Sequence, residues 1–63
     1  MELNNIEIVK KKILDAQEMV KDYEVYSKKM EDKEVANLFK DYAEECGFQA
    51  AELLKILNTK YNS

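Results

Sequence analysis

Two ladders of apolar residues, stepping alternately three and four positions, run almost the whole length of this chain. The first is Ile6, Val9, Ile13, Ala16, Val20, Tyr23, Ser27 and Met30; the second is Ala36, Phe39, Ala43, Cys46, Ala50, Leu53 and Leu57. That period puts each set on one seam of an α-helix, at the a and d positions of a heptad. The spacing predicts a first helix over about residues 5–30, a turn at 31–33 and a second helix over about 33–58, with the last residues fraying. Asn4 or Asn5 can cap the first helix, and Glu7 stands where it would complete a capping box with Asn4. Asp32 is the best cap for the second helix, with Glu34 in its first turn. So short a connection makes the two helices antiparallel neighbours. The expected fold is all-α, a single helical-hairpin domain.

A hairpin of 63 residues has too little interior to be stable by itself. Its single cysteine cannot form an internal bridge, and without histidine the usual zinc spacings are missing. Self-association is the remaining route. Met19 and Tyr26 flank the first seam at g, and Val35, Tyr42, Ile56, Leu54 and Tyr61 flank the second at g or e. The apolar stripe is therefore wider than one partner helix covers, which suits helices that each face two neighbours. A two-fold homodimer, each copy giving one hairpin to a four-helix bundle, is the economical expectation.

Composition narrows the function classes. With 37% charged and 46% hydrophobic residues the chain is that of a folded protein, and one glycine with no proline fits near-continuous helix. A net charge of −3 argues against nucleic-acid binding, which calls for a basic stripe. Met1-Glu2-Leu3-Asn4-Asn5 shows neither a basic n-region nor an apolar h-region, and no apolar run reaches membrane-spanning length. The expectation is a cytoplasmic protein with Cys46 as a free thiol.

The segment Asp32-Lys33-Glu34-Val35-Ala36-Asn37-Leu38-Phe39-Lys40-Asp41-Tyr42-Ala43-Glu44-Glu45 resembles the rubrerythrin branch of the ferritin-like superfamily. That family has an Asp-x-Glu-Val-x-x-Leu-Phe-x-x-x-Ala segment leading into Glu-x-x-His-Ala. The likeness extends through Ala50 and Leu53 and back to Tyr23, which takes the place of the family's helix-1 tyrosine, sixteen residues before Phe39. The resemblance implies a four-helix bundle of two such hairpins, of which this chain would be half. It also implies where a di-iron half-site would lie: a helix-1 glutamate seven residues before the tyrosine, and the Glu-x-x-His pair on helix 2. Here those positions hold Ala16, Cys46 and Gln49, and a one-residue slide gives Glu45 and Phe48. Iron wants carboxylate and imidazole from facing helices, and no register restores them.

The other acids offer no substitute, because Glu18, Glu44, Glu45 and Glu52 fall at f, b, c and c, off the seam. They suit surface pairs such as Glu24–Lys28. Two Cys46 thiolates with two Gln49 side chains could make a soft metal site or an intersubunit disulfide across a two-fold axis. The simpler reading packs Cys46 as a small hydrophobe, with Gln49 a rim amide bonding across helices. Lys10-Lys11-Lys12 reads as a solvated flank rather than a membrane contact. Small residues at Ala16, Ala43, Gly47, Ala50 and Ala51 narrow the seam, for close helix approach or where a cofactor once sat. Phe48 and Val25 at f and Leu38 at c should face water, or a further protein.

On this reading no residue carries a catalytic, cofactor-binding or metal-ligating role. The expected function is that of a metal-free, non-catalytic homodimeric module with a structural or protein-interaction role. The alternatives are a rubrerythrin-type iron protein with unorthodox ligands, and a coiled-coil adaptor whose likeness is packing convergence.

Overall fold

Two long helices and one short turn make up the computed structural model, which describes residues 4–61. Helix α1 spans Asn5–Lys29, helix α2 spans Lys33–Ile56, and a π-helical turn follows at Leu57–Tyr61. The α1 cap is Asn4, whose Oδ1 accepts from the Glu7 N–H at 2.8 Å. Among the described residues the box closes from the Asn4 side only. Met30 ends α1 by turning extended (φ −75°, ψ 124°), while its N–H still donates to the Tyr26 carbonyl at 2.9 Å. Asp32 then starts α2, its carboxylate accepting from the N–H groups of Glu34 at 3.0 Å and Val35 at 3.3 Å. Acids in the first turns (Glu7, Glu34) and lysines in the last (Lys28, Lys29, Lys55) suit both helix dipoles.

Three residues, Met30 to Asp32, connect the helices, so α1 and α2 lie antiparallel side by side. Their contact is the predicted seam. Ile13, Ala16, Ser27, Ala43, Cys46 and Ala50 are buried, and Ile6, Val9, Val20, Tyr23, Ala36, Phe39, Leu53 and Leu57 half-buried. Ser27 belongs there because its hydroxyl donates to its own helix, at the Glu24 carbonyl 2.8 Å away. Met30 does not: the helix has already ended, and its side chain is 38% exposed.

The chain beyond Ile56 departs from the fraying expected at Asn58. Leu57 N–H bonds both the Leu53 and Leu54 carbonyls, and Thr59 Oγ1 donates to the Lys55 carbonyl at 2.8 Å. The wider turn brings Tyr61 back to a half-buried position. The rest of the predicted tail, Asn62 and Ser63, lies outside the described residues, as do Met1 to Leu3 of the N-terminal segment read for export.

The whole is a slab of 45 × 26 × 12 Å, one helix thick. No large side chain among the described residues is completely sealed from water. One layer of helices has a contact line but no interior. Among the described residues no helix is long and apolar enough to cross a membrane.

Candidate functional site

The residues left over by the helix–helix contact are not spread evenly. Positions d, g and c share one broad side of the slab. Ile8, Met19, Tyr26, Met30, Leu38, Tyr42 and Ile56 belong to that side, each between 38% and 54% exposed. Such a concentration exceeds the scattered apolar residues of an ordinary surface.

Near the turn this face is aromatic. The Tyr23 ring lies 5.5 Å from Phe39, tilted by 49°, and 5.5 Å from Tyr42 edge-on at 61°. Met19, Tyr26 and Met30 extend the cluster into a shallow groove of about 690 Å³ that Asp22 and Lys29 border. Lys29 Nζ stands 5.9 Å from the centre of the Tyr26 ring, within cation–π range. Halfway along, the face thins to Ala16 and Cys46, one heptad from the Tyr23–Phe39 pair in each helix and both buried. Toward the open end it becomes aliphatic, through Ile8 and Ile56.

The positions that a di-iron half-site would occupy are thus apolar or outside. Cys46 is a buried free thiol. Gln49, expected to bond across helices, is exposed and its side chain makes no hydrogen bond among the described residues, because g faces away from the partner helix of the same chain. Glu18, Glu44, Glu45 and Glu52 are all exposed. Among the described residues no three His, Cys, Asp or Glu side chains converge as metal ligands.

The opposite side of the slab is more polar. There Gly47 leaves room, since a Cβ added to it would meet Val20 Cγ2 at 3.9 Å, ordinary van der Waals contact. Leu14, 61% exposed, joins Ile13, Leu54 and Leu57 in a small apolar groove at the open end. Leu14 and Ile8 escaped the sequence reading because they stand at b and c, outside the a/d/e/g pattern. Phe48 is 73% exposed on the outer surface of α2, as its f position predicts.

Among the described residues ion pairing gathers at one point. Lys11 and Lys12 reach Asp15 Oδ2 at 3.3 Å and 3.5 Å. The hydrogen bond from Lys11 holds the Asp15 carboxyl below its ordinary pKa, helped by both lysine charges and opposed by partial desolvation. The expected Glu24–Lys28 pair is not among the ion pairs of the described residues, in keeping with the small worth of a solvated pair.

No protein-family model matches this chain, and no curated protein or solved structure matches it. The class that fold and face define is an all-helical hairpin with one unpartnered apolar side. The likeness to the rubrerythrin branch therefore rests on the residues quoted for it.

Proposed function

We propose that this chain is a non-catalytic helical module that acts by association, pairing with a second copy into a metal-free four-helix bundle of ferritin-like form. The observation that carries the reading is the coincidence of one continuous apolar face with a midpoint stripped of ligand chemistry. Ala16 and Cys46 are buried where carboxylates would have to converge, and the nearby acids point to water. Turning those acids inward without a cation would cost several kcal/mol.

Area supports the pairing. The chain exposes 5373 Å² at a mass of 7.4 kDa. A compact folded protein of that mass exposes about 4,200 Å², and one of twice the mass about 7,000 Å². Two hairpins closing to normal compactness would bury roughly 3,700 Å² in all, within the range of obligate homodimers. The role of such a bundle is structural or protein-binding, with Phe48 and Val25 left on its outer surface for a further contact.

Two measurements test this. Sedimentation equilibrium at micromolar concentration should give twice the chain mass; a helical monomer that melts cooperatively overturns the proposal. Purified protein exposed to ferrous iron in air should hold no stoichiometric metal and show no ferroxidase turnover. Either activity would restore the iron-protein alternative.

A further inference from the structure

We infer that the outer surface of the bundle carries both halves of a further contact between copies of this chain: the Phe48 ring of one bundle seats in the apolar groove beside Leu14 of the next. This builds on the homodimer proposed above. The groove lies on the a, e and b side of the hairpin and Phe48 at f, both clear of the d, g and c face that pairing would cover. Phe48 is 73% exposed and Leu14 61%, the two most exposed large apolar side chains among the described residues. At f, Phe48 points away from α1 and cannot reach the groove of its own chain.

Shape makes them a knob and a hole. Lys10, Ile13 and Leu14 of α1 and Leu54 and Leu57 of α2 line the groove, which holds about 290 Å³. An apolar cavity of about 150 Å³ already takes a benzene ring, so a phenyl side chain fits there. On the other side of the contact, Phe48 stands among Asp41, Glu44, Glu45, Gln49 and Glu52. An aromatic anchor inside a polar rim is the usual anatomy of a binding hot spot.

Charge selects the occupant. From Asp41 to Leu54, α2 carries the acids Asp41, Glu44, Glu45 and Glu52 and no lysine; Lys40 and Lys55 stand just outside the two ends of that stretch. None of these acids is in an ion pair among the described residues. Two such patches cannot meet without setting like charges against each other, so Phe48 needs an apolar counterpart with a basic rim. The groove beside Leu14 is one. Lys10 lines it and makes no ion pair among the described residues. Lys11, shared with Asp15, and Lys21 lie within two turns of Leu14, against Glu7 and Glu18. A knob and a hole on different surfaces make a heterologous contact, which builds an open row of bundles unless its rotation closes a ring. Each homodimer would offer two knobs and two holes.

Concentration and mixing test the contact. The parent's weight-average mass in sedimentation should rise past the dimer between about 10 μM and about 1 mM chain, the range suited to a contact that buries under about 1,200 Å². A parent that stays dimeric throughout leaves the groove to some other partner and overturns the proposal. Phe48→Gln and Leu14→Gln, both at exposed sites, should each keep parental helix content and hold the mass at the dimer. Further association by either variant alone overturns it. An equal mixture of the two should associate again, since one supplies holes and the other knobs. No recovery would mean that each patch pairs with itself, which also overturns it. If the variants are monomers and the mixture stops at a single pair, knob and hole stand while the homodimer falls. Lys10→Glu should weaken the association several-fold, and an unchanged constant overturns the selection by charge.

Discussion

Val20 and Gly47 face each other across the hairpin with space to spare, 3.9 Å separating Val20 Cγ2 from the point a Cβ on residue 47 would occupy. Gly47 has an ordinary helical backbone and no positive φ. Its glycine therefore costs helix propensity without relieving any clash. Gly47→Ala should stabilise the protein by about 1 kcal/mol, read as a rise in Tm of roughly 4–8 °C for a domain of this size. A fall in Tm would mean that this side of the hairpin is filled in the working molecule.

The two seams were legible because burial along a helix follows a fixed period, and Ile13, Ala16, Ala43, Cys46 and Ala50 lie where that period puts them. Caps were legible for a similar reason: Asp32 is the residue whose side chain can reach the first free N–H groups of α2. At the end of α1 the hydrophobic period outlasts the helix, since Met30 keeps the period while its backbone has already turned extended. The π-helical turn at Leu57–Tyr61 has no compositional signal, since its widening is one of backbone bonding rather than of side-chain period. Ile8 and Leu38 reveal the limit of heptad reading. They stand at c, which a two-stranded scheme assigns to solvent, yet they widen the face that a four-helix arrangement would cover.

Dimerisation should be visible as mass action. If folding and pairing are one process, Tm must rise with protein concentration. A hundredfold increase in chain concentration should stabilise the folded state by about 2.7 kcal/mol per dimer, the worth of that ratio at 25 °C. Circular dichroism melts across that range measure it directly. A Tm independent of concentration would contradict an obligate pair.

Acid should remove a small, assignable part of the stability. The Asp15 carboxyl lies below its ordinary value of 3.8, first through the Lys11 hydrogen bond and then through the charges of Lys11 and Lys12. A carboxyl whose folded pKa is depressed adds stability above its unfolded value and loses it as pH falls through the folded one. Asp15→Asn should therefore be less stable than the parent at neutral pH, with the gap closing below about pH 4. Lys11→Gln should raise the Asp15 pKa, followed by its side-chain carboxyl carbon shift. A gap that stays constant with pH would assign the effect of Asp15→Asn to something other than the carboxylate.

Ala50 tests whether the hairpin exists without its partner. It is buried on the seam, only 9% exposed. Ala50→Glu would bring a carboxylate there with no cation on the seam to receive it, at several kcal/mol. Small domains hold only about 5–15 kcal/mol in total, and a one-layer hairpin has little of its own. Helix content and dimer mass should therefore be lost in the same transition. Phe48→Glu, at a site 73% exposed, is the matching control and should leave both unchanged. If Ala50→Glu instead yields a helical monomer, the seam between α1 and α2 is sufficient for folding, and pairing is an added association rather than a condition of the fold.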